Sequence, residues 1–155
     1  DMLQIGSRNM QNFALLHAVG RTGLPVLLKR ANGASIEEWL LAGEHLLHAG
    51  TKTVVFCERG IRGFDPHTRN LLDMGAIAVL RHESGLPVIA DPSHGTGRRD
   101  LVVPLALSAV AAGAHGVMVE ISRDPSRALS DGPQAIVPDT LMALSQGLRI
   151  REETP

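Results

Sequence analysis

Short apolar runs recur along the chain, each ending at a glycine, a charged residue or the edge of a polar loop: Met2–Gly6, Pro25–Lys29, Thr53–Glu58, Pro87–Ala90 and Gly116–Ile121. Each is too short for a helix and most are rich in β-branched residues, so they predict strands. Between them, apolar positions recur at helical spacing. The clearest case is Ser35–His48, where Ser35 and Glu38 have the spacing of a capping box, Ile36, Trp39, Leu40, Leu46 and Leu47 form the apolar stripe, and Gly50 marks the end. Asn9–Val19 and Arg98–Ala112 also read as helices, the second stopped by Gly113. Part of Pro66–His82, with limits blurred by Gly75, and Pro138–Leu148 complete the set.

The strand starts at 2, 25, 53, 87 and 116 have the spacing of successive strand–helix units, which implies a parallel sheet and an α/β fold. No linker or compositional break divides the chain, so residues 1–155 read as one domain. Two architectures fit: an open doubly wound sheet, or part of an eight-stranded (β/α)8 TIM barrel. Gly95-Thr96-Gly97 lacks the third glycine of a dinucleotide fingerprint, which weakens the first. The opening strand begins at the second residue, so the sequence is expected to start inside the fold.

Composition adds limits. The 155 residues are 44% hydrophobic with few aromatics, as in an aliphatic globular core, and 15 Lys+Arg against 16 Asp+Glu leave a net charge of -1. No basic run suggests nucleic acid as a partner. Leu101–Ala114, the longest weakly polar stretch, contains Pro104 and is too short to span a membrane. One cysteine, Cys57, and no secretory leader point to a reducing cytoplasm.

The polar residues that follow the strands carry the chemistry. Arg8 follows the first strand, Lys29-Arg30 the second, Glu58-Arg59 the third, Asp91 and His94 the fourth, and Glu120 ends the fifth. In a parallel barrel these ends share the rim on which active sites are built. Arg8, Lys29 and Arg59 suit a multiply anionic, phosphorylated ligand, because guanidinium forks match phosphate and carboxylate oxygens. His94, Glu120 and Asp131 form a mixed nitrogen and oxygen set suited to a divalent metal. Each residue also has a plainer reading: solvated surface for a lone cation, a hydrogen-bonded loop histidine for His94, a Ser-Asp-Gly turn for Asp131, and a small buried hydrophobe for Cys57. The remaining histidines read as surface.

At these residues the sequence resembles the type I DAHP synthases, in the subgroup related to KDO8P synthase. The matching stretches are IGSRNMQNF (5–13), PVLLKR (25–30), IEEWL (36–40), CERGIRGF (57–64), PVIADPSH (87–94), VMVE (117–120) and ALSDGPQ (128–134). The resemblance implies a (β/α)8 barrel of which this chain is the C-terminal portion, about the last five units. It implies that Ser7, Arg8, Lys29 and Arg59 bind phosphoenolpyruvate, that Lys29 and His94 are catalytic, and that His94, Glu120 and Asp131 are three of four ligands of a divalent metal. Manganese, iron, cobalt and zinc all suit such a site. The family's cysteine ligand from an early strand and its lysine-proline-arginine loop have no counterpart here, and Cys57 belongs to a different motif. Ser7, Ala31, Gly63 and Ser122 replace the alanine, glycine, threonine and histidine common in the family.

The implied reaction condenses phosphoenolpyruvate with erythrose 4-phosphate to give DAHP and phosphate, the first step of the shikimate pathway to aromatic amino acids. KDO8P-type condensation with arabinose 5-phosphate and a non-catalytic interaction module are the alternatives. The resemblance also implies that the 155-residue chain alone is neither a closed barrel nor a competent catalyst. Its two edge strands would then need a partner, either the early half-barrel in trans or a second copy in a homo-oligomer.

Overall fold

The computed structural model describes residues 1–152, with side chains described through Leu148; residues 153–155 of the single domain expected over 1–155 lie outside the described residues. Five strands, β1 (Leu3–Ile5), β2 (Val26–Lys29), β3 (Val54–Glu58), β4 (Val88–Ala90) and β5 (Gly116–Val117), form one sheet in the order β1-β2-β3-β4-β5. Every pairing is parallel, with Leu28 opposite Phe56 and Lys29 opposite Cys57. Sequential order throughout is what repeated strand–helix–strand units generate when each crossover has the same hand.

The helices α1 (Phe13–Gly20), α2 (Ile36–Ala49), α3 (Met74–Glu83), α4 (Pro92–Thr96), α5 (Arg99–Ala111) and α6 (Pro138–Glu152) lie between and after the strands. One face of the sheet, carrying Ile5, Val26, Leu28, Val54, Phe56, Val88 and Ala90, packs with Leu16, Trp39, Leu46, Ile77, Leu80 and Ala109 into the main core. Strand side chains alternate between faces, so Leu27, Lys29 and Cys57 point the other way. They too are buried, and β2 is buried at all four positions. Trp39 fixes the core's geometry: its ring meets Phe56 edge-on at 5.1 Å and its Nε1–H donates to the Leu28 carbonyl at 3.2 Å.

Helix α2 begins as its sequence predicts, with Ser35 Oγ accepting from Glu38 N–H (3.1 Å) and Glu38 Oε2 accepting from Ser35 N–H (2.8 Å). Elsewhere the boundaries shift for visible reasons. The helix expected from Asn9 starts at Phe13, because Asn12 caps it while Ser7–Asn9 closes a separate 3₁₀ turn. Of Pro66–His82 only the second half is helical: Asp73 caps α3, and Ile61 and Leu71 pair antiparallel across the preceding loop. The fifth strand is shorter than Gly116–Ile121, since Glu120 N–H turns to Ser93 Oγ (3.0 Å) and Ile121 bridges to Ile136. The short helix α4 was expected to be loop. Its Asp91-Pro92 start is a cap followed by proline at the first helical position, a helix-initiating pair.

Candidate active site

Helix α4 organises the rim. Asp91, at the end of β4, is fully buried, and its Oδ1 accepts the His94 backbone N–H at 3.0 Å. Its Oδ2 lies 2.8 Å from His94 Nδ1 and 2.7 Å from Lys29 Nζ. Burial alone would raise the Asp91 pKa, but the His94 hydrogen bonds and then Lys29 outweigh it and hold the carboxyl below its ordinary value. One carboxylate therefore sets the directions of both an imidazole and an ammonium.

With Nδ1 engaged by Asp91, the other ring nitrogen of His94 is left as a potential ligand atom. His94 Nε2 lies 3.6 Å from Glu120 Oε1 and 3.9 Å from Asp131 Oδ1, and one ligand atom from each of the three residues lies within 4.8 Å of the others. A histidine oriented by a carboxylate and facing two further carboxylates fits a divalent cation. Each partner is held from behind: Ser93 Oγ receives Glu120 N–H, and Gln134 Nε2 donates to Asp131 Oδ1 at 2.7 Å. Asp131 sits at φ 57°, in the left-handed region. At the next residue a Cβ would come within 2.3 Å of the Pro125 carbonyl, so Gly132 is required for the turn. Arg99 clamps the same loop, donating to the carbonyls of Ala135 (2.5 Å) and Gly132 (2.7 Å).

Beside this trio, Ser7, Arg8, Lys29, Arg59 and His94 line a cavity of about 310 Å³. Arg8 comes from the turn after β1, Lys29 from the last position of β2, and Arg59 from just beyond β3. Behind Arg59, the buried Glu58 ends β3: its Oε2 accepts from Arg30 at 2.9 Å and its Oε1 accepts from Gly60 N–H at 2.6 Å. Burial raises the Glu58 pKa, opposed chiefly by Arg30. Gly60, at φ 95°, makes the bend, and a Cβ there would lie 2.6 Å from Cβ of Asn70. Arg30 also reaches Asp73 at 3.1 Å and the Ala34 carbonyl at 3.1 Å, so this second strand-end cation is a buried scaffold group.

All seven candidate site residues, Ser7, Arg8, Lys29, Arg59, His94, Glu120 and Asp131, thus gather at the ends of the strands. Cys57 is fully buried, its thiol pKa pushed up mainly by burial. Several groups act from behind: Asp91, named in the sequence only as a strand-end polar residue, on Lys29 and His94, and Ser93, Gln134 and Arg99, which the sequence reading passed over, on Glu120 and the Asp131 loop. Asp-Pro-Ser-His held the signal for two of them, since a capping aspartate three residues before a histidine can reach both its backbone and its ring. His115, read as surface without a partner, is exposed but lies 2.8 Å from Arg81 Nη1 and accepts the Val88 N–H at 3.1 Å.

The sheet, the crossover helices and the polar rim define an α/β chain of the TIM-barrel kind, with its binding groups at the C-terminal ends of parallel strands. The chain belongs to the DAHP synthetase I family, whose pattern it matches over residues 1–152. It is 52% identical over 136 residues to the phospho-2-dehydro-3-deoxyheptonate aldolase of Thermotoga maritima, an alignment covering 88% of this chain and 40% of that protein. It is 38% identical over 148 residues to a 2-dehydro-3-deoxyphosphooctonate aldolase of Syntrophobacter fumaroxidans, covering 88% and 50%. The crystal structure of the Thermotoga maritima DAHP synthase superposes with a TM-score of 0.94 at 48% identity, over 96% of this chain and 44% of the other. The chain therefore spans about half the length of these relatives and covers only part of the full fold.

Proposed function

We propose that the chain carries the C-terminal part of the active site of a DAHP synthase, which condenses phosphoenolpyruvate with erythrose 4-phosphate to give DAHP and inorganic phosphate, at the head of the route to aromatic amino acids. The observation that carries the reading is the pairing of a His94–Glu120–Asp131 trio with a cavity lined by Arg8, Lys29 and Arg59. A divalent metal held by His94, Glu120 and Asp131 supplies Lewis acidity toward the aldehyde carbonyl when it is bound. The chain's own residues do the rest of the work visible here. Arg8 and Arg59 hold the phosphate and carboxylate oxygens of phosphoenolpyruvate in guanidinium forks, and Lys29, steadied by Asp91, adds a third cation. This fixes the enol carbon C3 against the aldehyde carbon, so that binding supplies much of the entropy of bringing two substrates together. A C–C bond forms between them, water adds at C2, and the C2–O bond to phosphate breaks. The charge left on the departing phosphate stays beside the same cations.

The cysteine ligand and the lysine-proline-arginine loop that the family resemblance implies for a complete site have no counterpart among these 155 residues. In the same proposal the protein works in the cytoplasm, consistent with the free thiol of Cys57, and as a homo-oligomer or with the early half-barrel in trans. The relatives that carry the octonate name, at 33–38% identity, favour KDO8P-type chemistry as the second reading. Both readings are tested by following phosphoenolpyruvate consumption in the smallest active polypeptide containing this chain, with each aldehyde in turn. Consumption with erythrose 4-phosphate and a divalent metal, and none with arabinose 5-phosphate, is the expected result. The reverse preference would replace the reading, and no consumption with either would end it.

A further inference from the structure

Behind the trio, Gln134 carries a penalty that packing does not explain. Its side chain is fully buried, and among the described residues its Oε1 is the one buried side-chain oxygen or nitrogen without a hydrogen-bond partner. An acceptor left unpaired away from water destabilises a fold, and an apolar side chain of the same length would carry no such penalty. The other end of the amide is engaged: Nε2 donates to Asp131 Oδ1 at 2.7 Å. A reversed amide would set Oε1 against a carboxylate oxygen with no proton between them, so the N–H end must face Asp131. Asp131 Oδ1 is also the oxygen that lies 3.9 Å from His94 Nε2.

Asp131 is strained as well as held. It is the one non-glycine residue at positive φ among the described residues, at 57°, a region that side chains other than glycine rarely occupy. The turn is closed around its backbone, since Gln134 N–H and Ala135 N–H both donate to the Asp131 carbonyl at 3.1 Å. The carboxylate itself is one-third exposed, and a side chain facing solvent from a turn has several rotamers open to it unless something selects one. We infer that Gln134 is a positioning residue of the site: it presets the Asp131 carboxylate toward His94 and Glu120, at the expense of the fold's own stability. Oδ1 has two lone pairs, so it accepts from Gln134 and keeps one, with Oδ2 beside it, for a divalent cation. The inference rests on the reading above, in which the trio holds a metal. Gln134→Met separates positioning from packing, because it nearly conserves the buried volume while removing both the donor and the unpaired acceptor.

The test uses the smallest active polypeptide containing this chain, stripped of metal with a chelator, as wild type, Gln134→Met, Gln134→Leu and His94→Ala. Mn²⁺ binding is followed by the loss of the free-ion signal in electron paramagnetic resonance, and thermal melts are recorded without metal. Expected for Gln134→Met is Mn²⁺ affinity weaker by at least about tenfold, with a metal-free melting midpoint equal to or above that of wild type. Gln134→Leu, which also lacks the donor, should lose affinity to the same extent. At saturating Mn²⁺, the KM for phosphoenolpyruvate should be that of wild type, because Gln134 acts on the carboxylate and not on the substrate. Wild-type Mn²⁺ affinity in both Gln134 variants overturns the inference, and so does a metal-free midpoint below wild type in both, which would make the glutamine structural. If His94→Ala weakens Mn²⁺ binding while the Gln134 variants do not, the metal reading stands and the positioning role falls. Wild-type affinity in His94→Ala removes the trio as the metal site, and the positioning role with it.

Discussion

Two charged networks stand side by side at the ends of the strands, and they are built on opposite plans. Around Arg30 every charge has a partner: Glu58 at 2.9 Å, Asp73 at 3.1 Å, and the Trp39 ring 5.6 Å beneath the guanidinium. Around an adjoining arginine-lined cavity, Arg8, Arg59, Arg62 and Arg69 share one lining, and among the described residues no carboxylate joins them there. The first network is closed and needs nothing from outside, as a load placed in a low dielectric must be. The second has no internal counter-charge among the described residues and is open to solvent and to an anionic ligand. Lys29 and Asp91 lie on the boundary: their ion pair is buried like the first network, yet Lys29 borders the cavity of the second.

The sharpest way to break this contrast is to remove one partner from each network. Glu58→Ala strands Arg30 in a buried site, and a loss on the order of 3 kcal/mol in urea unfolding is expected. Arg59→Ala should lower the unfolding free energy by no more than about 0.5 kcal/mol while abolishing tight binding of phosphoenolpyruvate. Equal stability losses in the two variants would erase the distinction. Asp91→Asn probes the boundary and should lower divalent-metal affinity about 10- to 100-fold by loosening the His94 ring, as read by metal titration.

Lys29→Ala should raise KM for phosphoenolpyruvate and lower kcat, less severely than Arg59→Ala because neighbouring cations compensate in part. Wild-type kinetics at every phosphoenolpyruvate concentration would make Lys29 structural only.

The boundary ion pair and the closed network also differ in their response to acid. Asp91 has a lowered pKa in the fold, so the stability it contributes is present above the ordinary aspartate range and is lost as pH falls through its folded value. Glu58 has a raised pKa, so its contribution is full below the ordinary glutamate range and is lost as pH rises through its folded value. Urea midpoints measured against pH should therefore lose the strongly acidic decline in Asp91→Asn and lose the change at higher pH in Glu58→Gln. The smallest effect concerns Cys57, which should react with a thiol reagent only as the chain unfolds, because it is buried and its thiol pKa is raised.

The five strands were legible because parallel strands buried on both faces appear as short unbroken apolar runs, as Val26–Lys29 and Val54–Glu58 do. Arg8, Lys29, Arg59, His94 and Glu120 were legible as candidates because strand-end positions in such a fold point to one rim, Asp131 came from the loop after the fifth strand, and Ser7 came from the family resemblance alone. What escaped was whatever depends on contacts distant in sequence. Arg30 looks like Lys29 in the sequence, and only the arrival of Glu58 and Asp73, 28 and 43 residues away, makes it scaffold. Arg62 and Arg69 look like loop charges until the Ile61–Leu71 bridge brings them to the same cavity. Helix α4 was missed for a local reason: five residues are too few to show a periodicity, so its cap was the only sign.

The most direct test of the central claim is a crystal of the smallest active polypeptide containing this chain, soaked with Mn²⁺ and phosphoenolpyruvate and measured at the manganese absorption edge. The account predicts one anomalous peak coordinated by His94 Nε2, Glu120 and Asp131, with the phosphoryl group of phosphoenolpyruvate bound by Arg8 and Arg59. Manganese bound without His94, or phosphoenolpyruvate seated away from both arginines, would contradict it.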